Sequence, residues 1–318
     1  MRIPALLVAV LLCIAAVAAY GQPYPNRPVR VVVPFPPGGG TDIMARVIGT
    51  RMAEALGQSF VIDNRPGAGG TIGMENAVRS NPDGYTLCVV NSNYSATAAI
   101  QKVPYDPVSD IQPILLFGET GLVLTVHPSL PAKSMKEFVA YARSHPGKLS
   151  YGSVGNGSIT HFAFELLKLE TKTDMLHVPY KGGSPALNAV IGGEVQATAI
   201  GGPATFPHVK AGRLRALGVT TPKRFAAVPD LPAIAETVPG YEANHWYGMW
   251  GPKGLPKAIL ARLNQEGAKV LQSDEMKRRL TEEGLEAAGT TPEDFHRVIK
   301  RDVEKWRRVV RETRITGN

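Results

Sequence analysis

Cysteine is close to absent from this chain of 318 residues, with only Cys13 and Cys88. Cys13 lies in an apolar N-terminal segment. A processed chain would keep Cys88 alone, inside the strand-like run Thr86–Val90, so no intrachain disulfide can form. Beyond residue 19 no apolar run approaches the length of a membrane span. The net charge is +8, but the basic residues are spread out and no basic-aromatic module appears. That speaks against nucleic acid and supports no more than a bias toward anionic ligands. A dinucleotide fingerprint built on Gly38 and Gly40 would need glycine or alanine where Ile43 stands, and no Walker lysine follows a glycine-rich loop. Ser184 sits in a hydrolase-like GGSPA, yet Pro185 has no N–H to give an oxyanion hole; Ser184 as N-cap with Pro185 at the first helical position accounts for both. His161 and Glu165 lie four apart, but His127, His145, His177, His208, His245 and His296 add no ligand-like spacing. Neither a metal nor a cofactor is expected.

The N-terminus has the form of an export signal. Arg2 supplies a positive charge, Ile3–Ala19 is almost wholly apolar, and small residues near Ala19 offer cleavage sites. Bulky Leu12 before Cys13 argues against a lipoprotein. Removing residues 1–21 leaves roughly 300 residues, which favours two domains over one.

The most informative stretch is Pro34–Asp42, PFPPGGGTD. It follows the apolar run Val29–Val33 and precedes a helical period of Ile43, Val47, Ile48, Met52, Ala55 and Leu56 that ends at the C-cap Gly57. A strand, a glycine turn and a helix start aim free backbone N–H groups at one point, where an anion can sit. Glycine lets a ligand approach the backbone with no Cβ in the way. A second loop of the same build, Tyr151–His161, YGSVGNGSITH, stands in the other half of the chain. Ser158 or Thr160 could simply cap the next helix. Two such loops, one per half, are also what a ligand held between two lobes would need. Neither loop contains Arg or Lys, so helix N-termini and aligned N–H dipoles would have to neutralise a bound anion.

Strands at Val29–Val33, Phe60–Asp63 and Tyr85–Val90 alternate with helices in the first half. The second half predicts strands at Leu122–Val126, Leu149–Tyr151, Met175–Val178, Val195–Ile200 and Leu214–Val219. Its helices are expected over Met135–Ser144, capped by Ser134, then Ile159–Leu169 and Pro185–Ile191. Such alternation implies α/β lobes, each a mostly parallel sheet flanked by helices. The stretch Pro222–Pro239 suits a connector between lobes. Trp246, Tyr247 and Trp250 are expected to pack near the lobe junction. The end of the chain reads as the helices Lys257–Gln272 and Glu293–Glu312, the latter with an apolar stripe and a basic, solvated opposite face. Asn91–Ser95, including Ser92, could supply polar groups to a cleft, and Lys181–Ala186 and Gly201–Pro203 could complete a pocket wall.

Several motifs in one order, VVVPFPPGGGTDIMAR, VIDNRPGAGGTIG, VPYDPVSD, YGSVGNGSITH, VPYKGGSPAL, AGRLRALGVT and TPEDFHRVIKRDVEKW, resemble the extracytoplasmic solute-binding receptors of tripartite tricarboxylate transporters, the Bug family. The resemblance runs over essentially the whole mature chain. It implies a two-lobed periplasmic-binding-protein clamshell, a Venus flytrap, with lobe 1 at 22–121 plus 243–318 and lobe 2 at 122–242. It also implies a monomer in the periplasm that captures a small organic carboxylate and passes it to transporter membrane subunits, without catalysis. In the family two loops grip a ligand carboxylate. That maps the grip onto Phe35, Pro37, Gly38, Gly39, Gly40, Thr41 and Asp42, with Asp42 organising water or the helix start. The matching positions in the second lobe are Ser153, Gly155, Asn156, Gly157 and Ser158, with His161 nearby. Ser92, Tyr180 and Gly202 complete the expected ligand-binding set. Where family members commonly carry an acidic or polar residue after the strand at 195–200, this chain reads QATAIGGPA, which weakens the case for an amine-bearing ligand. A sensor subunit, or a small-acid hydrolase or isomerase using Asp42, Ser153 or His161, are the competing readings.

Overall fold

The computed structural model describes residues 24–225, 228–282, 284–313 and 315–316. The export signal expected at 1–21 lies outside the described residues. Among the described residues no helix is long and apolar enough to cross a membrane.

The chain first alternates β1 (Val29–Val33), α1 (Gly40–Leu56), β2 (Phe60–Asn64), α2 (Thr71–Val78), β3 (Thr86–Asn91) and α3 (Asn93–Ile100). β4 (Ile111–Thr120) then runs through Gly121 into β5 (Leu122–Val126) and so into a second set of elements. These are α4 (Met135–Ser144), β6 (Leu149–Ser153), α5 (Ile159–Thr171), β7 (Met175–Pro179), α6 (Gly183–Ile191), β8 (Ala197–Gly201), α7 (Gly202–Lys210) and β9 (Arg215–Val219). The chain returns through β10 (His245–Pro252) to α8 (Lys257–Gln272), α9 (Asp274–Glu282), β11 (Glu286–Ala287) and α10 (Pro292–Thr313).

Two sheets result, in the orders β11-β4-β10-β3-β1-β2 and β7-β6-β8-β5-β9. Both are mixed, which differs from the mostly parallel sheets that the alternation predicted. β1 is parallel to β2 and β3, and β6 to β7 and β8. The strand by which the chain enters each half after a crossing runs the other way: β10 is antiparallel to β3 and β4, and β5 to β8 and β9. The α/β class and the two-lobed arrangement stand.

The valines of β1 divide between two cores. Val29, Val31 and Val33 meet Met44, Ile48 and Met52 of α1 on one face. Val32 on the other face joins Met74, Trp246, Trp250 and the first half of α10 through Phe295, Ile299 and Val303. The second half of α10 places Trp306 and Val309 in the core of the second sheet, beside Phe162 and Tyr151. One apolar stripe therefore staples both lobes, with the Trp306 and Phe162 rings 5.2 Å apart. Its opposite face is solvated, as expected, and pairs with distant parts of the chain: Arg301 with Glu242 and Arg308 with Glu170.

The two chain crossings are tied together by buried Thr220. Its Oγ1 accepts from Leu122 N at 2.8 Å and its carbonyl from Ala243 N at 3.0 Å. Further along the return strand, Trp246 Nε1 donates to the buried Asp302 of α10 at 2.8 Å.

Candidate functional site

Between the two sheets opens a cavity of about 560 Å³. From the first lobe it is lined by Gly39, Gly40, Ile43 and Met44 at the start of α1, by Asn91 and Asn93 around the start of α3, and by His245 and Tyr247 of β10. The second lobe contributes Val154, Ile159 and Thr160 around the start of α5, Gly182 and Gly183 at the start of α6, and Ile200, Gly201 and Pro203 at the start of α7. Thr120 and Leu122 at the chain crossing, with Leu285, complete the wall. Five helix N-termini thus meet one cavity, and among the described residues none of those lining it is Asp, Glu, Lys or Arg.

The start of α1 is open because nothing in its own helix can satisfy it. The first helical backbone bond runs from Ile43 N to Gly39 O, so the amides before Ile43 have no carbonyl of their own helix to meet. No side chain caps Gly39. A Cβ on Gly40 would lie 2.5 Å from the Tyr247 hydroxyl oxygen, so the glycine lets Tyr247 close over the loop. Asp42 points away from the cavity and back into the loop. Its carboxylate accepts from Gly38 N at 2.9 Å, Asn64 Nδ2 at 3.0 Å and both arms of the Arg46 guanidinium. The Arg46 bonds, followed by those from Gly38 and Asn64, hold its pKa down at about 2, so it stays ionised and neutralised by Arg46.

Thr41, buried behind the loop, receives Asn91 Nδ2 at 2.8 Å, and Asn91 Oδ1 accepts from Asn93 N at 3.0 Å. The Asn93 side chain crosses the cleft, its Oδ1 taking the Ile159 amide at 3.1 Å. Ser92 Oγ lies 2.7 Å from Nδ1 of His245, whose imidazole is kept neutral by burial, with its pKa lowered to about 4.

The second loop is largely self-satisfied. Val154 N donates to Thr160 Oγ1, Gly155 N to Ser153 Oγ, Gly157 N to His161 Nδ1 and Ser158 N to Gly155 O. Ser158 caps α5 by accepting from His161 N at 3.3 Å, as one of the two capping alternatives required. The helix start expected at Pro185 lies earlier. Gly182 is the N-cap of α6, so Ser184 sits inside the first turn.

Of the residues expected to bind ligand, Gly39 and Gly40 line the cavity, and Thr41 and Ser92 stand directly behind lining residues. Pro37 and Gly38 occupy the exposed turn above them, and Phe35 packs beneath it against the first core. Ser153, Gly155, Asn156, Gly157 and Ser158 form the second loop, whose Val154, Ile159 and Thr160 are the ones that reach the cavity. His161 is buried under that loop. Tyr180 backs the same loop, its N donating to Ser153 O at 3.0 Å and its ring lying against Gly152. Gly202 is covered by the Phe206 ring, while its neighbours Gly201 and Pro203 face the opening. The sequence reading missed His245, Thr120, Leu122 and Leu285 as lining residues. All but Leu285 lie on or beside β4 and β10, and neither strand shows a clean strand pattern.

The profile of the tripartite tricarboxylate transporter family receptor matches residues 44–315. The chain belongs to that family. The receptor is 35% identical over 294 residues to protein BugT of Bordetella pertussis, covering 91% of this chain and 90% of that one. A solved structure described as R. palustris Rpa4515 with adipate is 38% identical, covers 92% of this chain and 99% of its own, and superposes with a TM-score of 0.78. MatC from Rhodopseudomonas palustris with bound malate is 33% identical, with coverages of 90% and 100% and a TM-score of 0.75.

Proposed function

We propose that the receptor captures a small organic carboxylate in the interlobe cavity and presents it to the membrane subunits of a tripartite-type transporter. It would act in the periplasm as a monomer without catalysis, after removal of residues 1–21. The lobes of the clamshell are residues 22–121 with 243–318, and residues 122–242. The observation that carries this reading is the convergence of five helix N-termini on a cavity with no charged lining side chain among the described residues. Relatives bound to adipate and to malate support the same chemistry.

An acid entering the cleft would meet the open amides of Gly40 and Thr41 from one lobe, and the Thr160 amide of α5 with those of the α6 and α7 starts from the other. Each hydrogen bond to a charged group contributes roughly 1.5–3 kcal/mol. Three or four of them, less the ordering cost of closure, support micromolar binding, about −8 kcal/mol. Because the donors come from both lobes, the bound acid favours the closed form over the open one. The membrane subunits could then tell a loaded receptor from an empty one.

The wall also argues for a particular kind of acid. Ile43, Met44, Leu122, Val154, Ile200 and Leu285 offer hydrocarbon surface, and among the described residues no carboxylate lines the cavity to receive an ammonium group. Acids with an apolar body should therefore bind, and their α-amino counterparts should not. Calorimetric titration with the pairs 3-phenylpropanoate and phenylalanine, and glutarate and glutamate, checks this. Binding of the acids alone is expected. Tight binding of the amino acids would contradict the reading of the wall, and failure of a broad panel of acids would contradict carboxylate capture.

The enzyme reading is weakened at Ser153, its candidate nucleophile. Ser153 Oγ is 2.6 Å from His177 Nε2, the spacing of a nucleophile and its base. But Ser153 is 0% exposed, and its hydroxyl also bridges the amide and carbonyl of Gly155.

A further inference from the structure

The same buried array is a feature that neither the fold nor ligand capture accounts for. Beneath the second glycine loop the imidazoles of His161 and His177 stack face to face, with ring centroids 3.8 Å apart and planes 10° from parallel. The loop rests on both. His161 Nδ1 accepts the Gly157 amide at 3.1 Å, and His177 Nε2 holds Ser153 Oγ at 2.6 Å, which in turn binds Gly155. Gly155 and Gly157 have φ of +133° and +69°, so the loop takes a shape that only glycine adopts readily and gains no stiffness of its own from side chains there.

We infer that His161 is a positioning residue for ligand capture: its neutral Nδ1 holds the second loop in place across the cleft, and protonation at that atom releases the loop. The inference rests on the proposed reading of the cleft as the ligand site. A lone pair on Nδ1 is required to accept the Gly157 N–H, so the proton of the neutral ring sits on Nε2. Protonated His161 would turn a donor toward a donor. The loop it then frees carries Val154, Ile159 and Thr160, and Ile159 N makes the bond to Asn93 of the opposite lobe. His177 serves as the platform. Its own protonation keeps a bond to Ser153 but sets a positive charge against the face of the His161 ring.

The groups that face the pair reinforce the neutral state. From α5, Lys168 Nζ pairs with Glu165 Oε1 at 2.8 Å, and from β6 the Tyr151 hydroxyl donates to the same Glu165 oxygen at 2.7 Å. Glu165 is thereby already satisfied and is no open counter-ion for an imidazolium. β8 carries no titratable residue, α3 only Tyr94, whose hydroxyl donates to Pro107 O, and α10 reaches α5 through the Arg308–Glu170 pair. Burial, with the Lys168 charge second, lowers the His161 pKa to about 4; burial, then His161, does the same for His177. Both rings titrate near 6.5 in the unfolded chain. The support they give is therefore complete above that pH and is lost as the pH falls toward 4.

The test compares the full receptor with His161→Asn and His161→Phe, using adipate as the probe. Asparagine places a non-titrating oxygen where Nδ1 stood, whereas phenylalanine keeps the ring stack and removes the acceptor. Between pH 7.5 and pH 4, where half of the His161 rings are protonated, the unaltered receptor should lose about twofold more affinity than adipate's own protonation explains, and His161→Asn should lose only the latter. His161→Phe should bind weakly at every pH. In parallel, the Gly157 amide proton shift, read by NMR without ligand, should titrate with the His161 ring and lie flat in His161→Asn. An acid-dependent loss in His161→Asn equal to that of the unaltered protein, or a Gly157 shift indifferent to the ring, would overturn the inference. If adipate binds to none of the three while the Gly157 shift follows the ring, the positioning of the loop stands and the cargo reading fails.

Discussion

Asp42 and Gly39 stand three residues apart and do opposite things with charge. Asp42, the one carboxylate in the first loop, is turned inward and spent on Gly38, Asn64 and Arg46. That leaves the cleft side of the loop to main-chain N–H groups, with no anion there to repel a ligand. The sequence placed this residue in the loop, but its partners lie 22 residues away at Asn64 and one helical turn away at Arg46, which local pattern cannot foresee. Gly39 has φ −78° and ψ 164°, ordinary extended values that valine also adopts, and a Cβ there would meet only Pro36 O at 3.6 Å. Gly39→Val should therefore melt within a few degrees of the parent and lose about a hundredfold in affinity for any acid that binds. Thermal denaturation and calorimetry together check this. Undiminished affinity would remove the first loop from the site.

At the scale of elements, those with a clean period were legible. β1 and α4 lie where their patterns put them, Ser134 caps α4 by accepting from Glu137 N, and Gly57 closes α1 in the left-handed region. β4 and β10, the strands that carry the chain between lobes, were not read as strands. Pro113 and Gly118 interrupt β4, and Gly248 and Gly251 interrupt β10, which argues against a central strand. The structure explains both departures. Register shifts fall between Tyr247 and Gly248 and between Met249 and Trp250, and a Cβ on Gly248 would lie 2.3 Å from the Phe295 ring of α10. Gly248 makes room for a helix distant in sequence. His245 and Thr120 were missed as cleft residues for the same reason. The crossing itself depends on Thr220, and Thr220→Val would leave the buried Leu122 amide without its acceptor. A loss of about 1–3 kcal/mol is expected in urea unfolding. Unchanged stability would mean that the hydroxyl does not hold the crossing.

Over the whole molecule, two lobes joined by two strand crossings and one stapling helix frame a cavity on which five helix starts converge. Composition and motif order made the two-lobed α/β class legible, since each lobe repeats a strand, a glycine turn and a helix start. What the sequence could not show is how many helix starts converge. α6 and α7 meet α1, α3 and α5 only once the sheets are folded and the lobes face each other. The central claim is that uncharged donors from both lobes seize an acid's head group. A crystal structure of the receptor grown with adipate tests it most directly. The account predicts carboxylate oxygens within about 3 Å of the amides at the starts of α1 and α5, with no Lys or Arg side chain in contact. A carboxylate resting on a basic side chain, or bound outside the cleft, would contradict it.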